Sequence, residues 1–339
     1  MELHNWLYVQ DERASLHLDH DAIRIRATDG ASRTLPLLAL EGIACFGAIS
    51  VSPALIERCA SDGRSLVFLT TGGKFQARVE GPCRGNVLLR RAQHSAAASR
   101  EASLEVARTI VAGKIQATRQ VLQRGARERF GLAAEELDRA SLALAGLLGD
   151  VAGAPDVNVL RGFEGEAASI YFHAFNHLVL DSAFRIARRE RRPPRDPMNA
   201  LLSFLYTLVL SEVVAAIETT GLDPQVGFLH ELRPGRPALA LDLMEELRAP
   251  IADRLALALV NRRQIEISDF VTQAGGSVQI GPRSRRIVLE AYQSRKRELV
   301  QHRLLGVRLP WALIPHAQTR ILARHLRGDL PIYIPFLTK

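Results

Sequence analysis

Cysteine and lysine are scarce in this sequence, and long apolar runs are missing. The 339 residues include three cysteines, Cys45, Cys59 and Cys83, and no two of them are spaced C-x-x-C. This pattern argues against a disulfide framework or a thiolate zinc site and favours a reducing cytoplasm. No segment approaches the roughly 18 uninterrupted apolar residues of a membrane helix. The start, MELHNWLYVQDER, lacks a basic stretch followed by an apolar run, so we expect no secretory signal and no membrane partner.

Positive charge exceeds negative charge, and arginine supplies nearly all of it. The sequence has 44 Lys+Arg against 36 Asp+Glu, a net charge of +8, and its lysines are Lys74, Lys114, Lys296 and Lys339. Such a balance favours a polyanionic partner, although a G+C-rich coding sequence also enriches arginine. Apolar residues at 47% and charged residues at 24% are ordinary for a globular chain long enough for two domains.

Hydrophobic periodicity divides the chain into two parts. Alternation at Ile23 and Ile25, and two strand candidates around Thr71-Gly72-Gly73, indicate a β-rich start. After residue 98 the spacing becomes helical. We therefore predict an α+β protein: a small N-terminal β domain (1–82, roll- or sandwich-like), a linker (83–98) and a larger all-α catalytic domain (99–339). The predicted helices are Ser52–Ala60, Ser99–Gln123, Ala133–Leu148, Glu164–Ala187 and Asn199–Thr219.

An acidic stripe interrupts one apolar segment, LALDLMEELR at residues 239–248. At about 100° per residue, Asp242, Glu245 and Glu246 share one face of the predicted helix. An acidic triplet of this kind is more often solvated or paired with arginine, and Arg248 lies close enough to contribute. The functional alternative is a divalent-cation site, since a cation makes neighbouring carboxylates tolerable.

Two further residues are candidates for the same site. His230 precedes the turn-forming Arg233–Pro237, which is expected to fold the chain back and bring the imidazole near the stripe. Glu164 stands between Gly162 and Gly165, where we expect a loop-to-helix junction that allows a close backbone approach. The ordinary alternatives are a hydrogen-bonded, half-buried histidine and a first-turn acid that favours the helix dipole.

Two basic runs suit phosphate oxygens, because guanidinium forks bind phosphate with little dependence on sequence. Either run could instead be a solvated helix face. Together with carboxylates and histidine in the same domain, they favour a phosphodiester substrate. The candidate DNA-binding residues are Arg185, Arg188, Arg189, Arg191, Arg192 and Arg195 in the first run, and Arg283, Arg285 and Arg286 in the second.

Five motifs, in order along the chain, resemble the CRISPR-associated spacer-acquisition integrases, the universal adaptation nucleases of CRISPR systems. The motifs are Gly85–Arg90, Gly162–Gly165 with Tyr171-Phe172, Asp196–Phe204 with Tyr206, Gly221–His230, and Leu241–Glu246 with Arg248. Two positions depart from the family pattern: Glu245 stands where many members have aspartate, and Ala249 separates Arg248 from Pro250. The length and the ending Tyr333–Phe336 resemble the type I-C branch.

The resemblance implies specific roles. Glu164, His230 and Glu245 would be ligands of Mg²⁺ or Mn²⁺, with Asp242 and Glu246 as further catalytic acids that support a second ion, orient water or bind substrate. The reaction would be attack by the 3′-OH of a spacer DNA on a phosphodiester at a CRISPR repeat boundary. The family's partners are spacer-precursor and repeat DNA, a second copy in a homodimer joined through the β domain, and a small ferredoxin-like adaptation protein. A non-catalytic nucleic-acid-binding scaffold and a small-molecule metallohydrolase are the alternatives.

Overall fold

The computed structural model describes residues 5–81, 87–190 and 193–338. The expected strands and the first expected helix form the N-terminal domain, in which Ser52 caps the helix and Pro53 begins it. Its elements are β1 (Asn5–Val9), β2 (Ser15–Asp19), β3 (Ala22–Arg26), β4 (Ser32–Pro36), β5 (Leu40–Phe46), β6 (Ser50–Val51), α1 (Pro53–Asp62), β7 (Ser65–Leu69) and β8 (Phe75–Val79).

Two four-stranded sheets make this domain a sandwich. One sheet has the order β1-β5-β7-β8 and the other β4-β3-β2-β6. Successive side chains of a strand point to opposite faces, and β5 is buried on both. Ile43 and Cys45 pack towards the second sheet and α1, whereas Ala44 and Phe46 join the core of the helical domain. The first sheet is therefore the layer that joins the two domains.

The rest of the chain is mainly helical, and its bounds correct several predictions. Its elements are α2 (Val87–Ala98), α3 (Arg100–Glu128), α4 (Leu132–Gly153), α5 (Val157–Phe175), α6 (Pro197–Thr220), α7 (Ala238–Leu247), a π-helical segment (Arg248–Asp253), α8 (Arg254–Asn261), β9 (Phe270–Thr272), β10 (Val278–Ile280), α9 (Pro282–Arg297), β11 (Leu299–His302), β12 (Val307–Pro310) and α10 (Ile314–Leu326). The expected linker 83–98 is helical from Val87 onward. The domain is not purely α-helical, because β9–β10 and β11–β12 form antiparallel pairs.

Helix α6 runs through the middle of this domain. Asp196 caps it, Pro197 begins it and Gly221, at φ +89°, ends it. Length and composition alone would let α6 cross a membrane, but 67% of its most apolar stretch is buried inside the protein. It contacts α7, α10 and the π-helical segment. We therefore describe α6 as the core helix against which the acidic helix α7 packs.

Helix α5 begins earlier than predicted. Asp156 caps it and Glu164 lies in its third turn, so the expected loop-to-helix junction at Glu164 is wrong. A Cβ atom built on Gly162 or Gly165 would meet no atom within 4 Å. These glycines do not serve a close backbone approach; they leave open space around Glu164. The helix also ends at Phe175 instead of reaching Ala187, and α4 extends past its predicted end at Leu148 as far as Gly153.

Candidate metal and nucleic-acid site

The acidic segment is a helix, and its first carboxylate holds the preceding loop. Leu239 N–H donates to the Pro224 carbonyl at 3.0 Å, which brings residues 224–230 back alongside α7, as predicted. Asp242 Oδ2 accepts hydrogen bonds from the backbone N–H groups of Phe228 (2.6 Å) and Leu229 (3.0 Å). Asp242 is fully buried, so these bonds satisfy a carboxylate that would otherwise be costly to bury.

The same carboxylate orients the imidazole of His230. Asp242 Oδ1 lies 2.6 Å from His230 Nδ1 and 2.9 Å from the backbone nitrogen of His230. Because a carboxylate only accepts, Nδ1 carries a proton, and in the neutral ring the Nε2 lone pair is free for a ligand. Nε2 lies 3.9 Å from Glu245 Oε1. Asp242 therefore selects the tautomer and direction that a metal-binding histidine needs.

Glu245 is a buried, ionised carboxylate surrounded by cations. Its Oε1 lies 2.9 Å from Arg248 Nη1, and its Oε2 lies 2.8 Å from Lys114 Nζ. Burial alone would raise the pKa of Glu245, but Arg248, Lys114 and His230 outweigh burial and lower the pKa to about 2. The Glu245 side chain is 2% exposed, so its negative charge lies in a site largely shielded from water.

Lys114 joins Glu245 to Glu164 and was missed by the sequence analysis. Its ammonium group, on α3, also contacts the Glu164 carboxylate on α5. Lys114 is 7% exposed and interrupts the buried face formed by Val111 and Ile115. A charge on the core face of an apolar helix, in a sequence with so few lysines, is the signal that would have singled it out.

Three of the five predicted acidic and imidazole groups converge here, although they do not yet form a coordination shell. Within the described parts of the chain, no three His, Cys, Asp or Glu side chains are gathered closely enough to hold a metal ion. The Lys114 ammonium lies between Glu164 and Glu245 and contacts both carboxylates. The donor set itself, two carboxylates and an oriented imidazole, fits Mg²⁺ or Mn²⁺ once that ammonium moves.

Glu246 has a different environment from its neighbour. Its Oε1 accepts hydrogen bonds from Gln318 (3.0 Å) and Tyr333 (2.8 Å), and its Oε2 accepts one from Phe336 N–H (2.7 Å). Burial raises the pKa of Glu246 to about 8. These contacts attach the C-terminal segment to α7, so they favour a structural role over the catalytic role expected from the sequence.

A network of aromatic and charged side chains lies on the other side of Glu245. Asp253, at the end of the π-helical segment, accepts hydrogen bonds from Tyr206 (2.7 Å) and Tyr171 (2.9 Å). The guanidinium groups of Arg189 and Arg248 lie 5.2 and 5.0 Å from the Tyr206 ring centroid, a cation–π arrangement. A cavity of about 20 Å³, large enough for one water molecule, is lined by Tyr171, Tyr206, Arg248 and Asp253 together with Lys114 and Glu245.

The predicted DNA-binding arginines separate into exposed and internal groups. Arg185, Arg195 and Arg283 are exposed, and so are Arg188 and Arg286, which pair with Glu190 and Glu290. Arg285 is buried and donates to the Ile280 carbonyl, so in this structure it is not a phosphate ligand. Arg189 is held by Asn199 and Glu190 beside Tyr206. Arg191 and Arg192, like Gly85 and Asn86 of the first motif, lie outside the described residues.

Comparison with known proteins agrees with the fold and with the family that the motifs resemble. The model of the family described as CRISPR associated protein Cas1 matches residues 7–294. The CRISPR-associated endonuclease Cas1 1 of Moorella thermoacetica is 49% identical over 98% of both chains. The CRISPR-associated endonuclease Cas1 2 of Rhodospirillum rubrum is 46% identical over 100% of this chain and 99% of the relative.

Two solved structures have the same fold. A casposase bound to an integration product superimposes with a TM-score of 0.85 at 22% identity, covering 97% of this chain and 92% of the casposase. A chain of a Cas6-RT-Cas1–Cas2 complex gives a TM-score of 0.85 at 20% identity, covering 99% of this chain and 36% of that longer polypeptide. At these identities the likeness concerns the fold alone.

Proposed function

The chain belongs to the Cas1 family of CRISPR-associated proteins, and we propose that it is a metal-dependent DNA endonuclease and integrase of CRISPR adaptation. The observation that carries this proposal is the junction of Glu164, Glu245 and an Asp242-oriented His230 around one buried cation position. The proposed substrates are a spacer-precursor DNA and a CRISPR repeat. The names of the 49% and 46% identical relatives, both endonucleases, support the nuclease part of the proposal.

The proposed cofactor is Mg²⁺ or Mn²⁺, held by Glu164, His230 and Glu245. Bound there, the ion would polarise a phosphate oxygen and help to deprotonate an attacking hydroxyl group. Asp242 would keep the His230 ring in place and select its tautomer, whereas Arg248 would fix the Glu245 carboxylate from the other side. The burial of Glu245 and Lys114 would exclude most water from the reacting phosphate.

The proposed DNA surface consists of the exposed arginines of the two basic runs and the open face of α5. Gly162 and Gly165 leave space beside Glu164, so a bulky DNA backbone can approach that carboxylate. Arg191 and Arg192 remain part of the prediction. The casposase in the structure that this fold resembles is bound to an integration product, which is consistent with a strand-transfer substrate at the same fold.

Assembly is also proposed from the family. We propose a homodimer joined through the β domain, with a small ferredoxin-like adaptation protein as a further partner. The complex named Cas6-RT-Cas1–Cas2 contains a chain of this fold and supports a second Cas protein as partner. The type I-C assignment remains part of the proposal and rests on the chain length and the ending Tyr333–Phe336.

One observation favours the alternative of a non-catalytic DNA-binding scaffold. Lys114 already neutralises Glu164 and Glu245, so the acids could be purely structural. A supercoiled plasmid nicking assay separates the two: the proposed enzyme nicks with Mn²⁺ or Mg²⁺ and is inactive with EDTA, whereas a scaffold nicks under neither condition. Glu164→Ala, His230→Ala and Glu245→Ala should each abolish nicking and strand transfer while circular dichroism remains that of the wild type. Full activity in any one of these variants would show that the replaced residue is not a metal ligand.

DNA binding has its own test. Arg188→Glu combined with Arg195→Glu should weaken binding and reduce its dependence on salt, since each phosphate contact adds to the salt slope. Arg139→Glu, an exposed arginine of α4 paired with Glu136, is the matched control. Binding isotherms at two ionic strengths measure the difference. Isotherms identical to those of the wild type would show that this basic run is a solvated surface that does not bind DNA.

A further inference from the structure

Lys114 occupies an unusual position for a lysine. Its side chain is 9% exposed, and its ammonium contacts carboxylates from two different helices, Glu164 on α5 and Glu245 on α7. Helix α3 has little freedom to move away, because its neighbouring residue Ile115 is fully buried and a Cβ atom on Gly113 would lie 2.6 Å from Pro335. The ammonium is therefore held where the two carboxylates converge.

The local charges balance without a metal ion. The carboxylates of Glu164 and Glu245 face the cations of Lys114 and Arg248. A divalent ion between the same carboxylates would stand beside the Lys114 ammonium, and two cations this close in a buried site repel strongly. Arg248 contacts only the Glu245 side of this pair, so Lys114 is the cation that must yield.

A displaced Lys114 ammonium needs another anion, because an unpaired buried charge is costly. The side chain is tethered to α3 and can reach only the immediate surroundings of Glu164 and Glu245. Glu164 is the more exposed of the two, with 27% of its side chain accessible, and the glycine beside it leaves open space. The anion that the proposed reaction brings to this opening is a phosphate group of DNA.

We propose that Lys114 is a built-in counter-cation, which occupies the metal position in the metal-free chain and binds the substrate phosphate once a divalent ion has replaced it. The inference has two halves. The metal half, that Lys114 competes with the metal ion, rests on the contacts of Lys114. The phosphate half, that Lys114 binds the substrate phosphate, rests on the proposed nuclease function. Together the two halves make Lys114 both a competitor of the metal and a catalytic residue. A purely structural lysine would not combine these two effects.

The metal half is tested by Mn²⁺ binding to the full chain without DNA, measured by calorimetry and by electron paramagnetic resonance of free Mn²⁺. Lys114→Met should bind Mn²⁺ roughly tenfold more tightly than the wild type, because the competing charge is gone. Lys114→Arg keeps the charge and should keep weak binding. Lys114→Gln is a second neutral variant, should the methionine variant fold poorly. Mn²⁺ affinity equal to or weaker than that of the wild type in the folded neutral variants overturns the proposal.

Lys296→Met is the matched control. Lys296 is equally buried, at 3% exposure, but pairs with Glu212 at 2.7 Å and lies over the Trp6 ring. Its removal should lower the thermal midpoint and leave the Mn²⁺ affinity unchanged. A tenfold tightening in Lys296→Met as well would show that loss of any buried lysine loosens the fold, and would overturn the specific role of Lys114.

The phosphate half is tested by nicking of supercoiled plasmid at saturating Mn²⁺. Lys114→Met should cut about a hundredfold more slowly than the wild type, as expected when a group that stabilises developing charge is removed. Lys114→Arg should recover part of the rate. A wild-type rate in Lys114→Met overturns this half. If the wild type binds Mn²⁺ but cuts no DNA, the nuclease proposal and the phosphate half are both wrong, while the isotherms still decide the metal half.

Discussion

Asp242 contacts His230 twice: its Oδ1 atom lies 2.9 Å from the backbone nitrogen and 2.6 Å from Nδ1 of the ring. The two residues are twelve positions apart, and the contact joins helix α7 to the loop before it. Because the backbone and the ring of His230 share one acceptor, the orientation of Nε2 depends directly on the position of α7. His230 and Glu245 are therefore placed by the same helix.

Replacing Asp242 with asparagine tests this relationship. The amide is a weaker acceptor and cannot balance the charge of a metal-bound imidazole, so we expect Mn²⁺ affinity to fall roughly 10- to 100-fold. Isothermal calorimetry measures the affinity directly. Glu231→Gln is the control. Glu231 adjoins His230 but is exposed and pairs with Arg233, so this variant should bind Mn²⁺ as tightly as the wild type. Equal affinities in both variants would contradict the orienting role of Asp242.

Gly227 should tolerate no side chain, because Asp242 occupies the space. A Cβ atom there would lie 2.6 Å from Asp242 Oδ2 and 2.7 Å from the Ala238 carbonyl carbon. We expect Gly227→Ala to cost about 1–3 kcal/mol of stability, as overpacking does, and to weaken Mn²⁺ binding. Gly146→Ala, on α4 with nothing within 4 Å, should instead stabilise the chain by about 0.5–1 kcal/mol. Chemical denaturation of both variants measures the difference, and a neutral Gly227→Ala would contradict it.

The two tyrosines on Asp253 should each contribute to stability. Tyr171→Phe and Tyr206→Phe remove one hydrogen bond each from a carboxylate that is 1% exposed. We expect a loss of about 1–2 kcal/mol per variant, and a double-variant loss that differs from the sum because both phenols share one acceptor. Urea denaturation of the single and double variants gives these free energies. If both variants are as stable as the wild type, the Asp253 carboxylate must receive its hydrogen bonds from other donors.

The stability of the folded chain should depend on pH through His302. Its Nε2 donates to Gln318 Oε1 (2.9 Å), and burial lowers the pKa of His302 below its usual value of 6.5. The unfolded chain therefore takes up a proton at a pH where the folded chain does not, and stability falls as the pH drops below about 6.5. The thermal midpoint of the wild type should fall more between pH 7 and pH 5 than that of His302→Gln. Parallel pH profiles would contradict this prediction.

Periodicity and capping residues predicted much of the architecture, because those signals are local. Ser52 precedes the first helix as expected, and α6 (Pro197–Thr220) nearly matches the predicted helix Asn199–Thr219. The start of α5 was missed because its cap, Asp156, follows a Gly/Ala/Pro segment that resembles a loop. Gly162 and Gly165 then suggested a junction, although the helix continues through both.

The candidate site was predicted in part. The turn before α7 predicted that His230 lies near Glu245, because the two segments adjoin in the sequence. The family resemblance added Glu164 to the same site. The different environments of Glu245 and Glu246 could not be predicted, because they depend on Lys114 for one and on Tyr333 for the other. Partners that lie far apart along the chain leave no periodic signal.

The adjacent pair Glu245 and Glu246 provides the most direct test of the central claim, that one buried cation position built around Glu245 drives DNA cleavage. Glu245→Gln and Glu246→Gln should be compared in one plasmid nicking experiment with Mn²⁺, with Mn²⁺ affinity measured on the same preparations. We predict that Glu245→Gln loses both Mn²⁺ binding and nicking and keeps its fold. Glu246→Gln should bind Mn²⁺ and nick DNA, at a lower thermal midpoint. Nicking by Glu245→Gln, or its selective loss in a folded Glu246→Gln, would contradict the account.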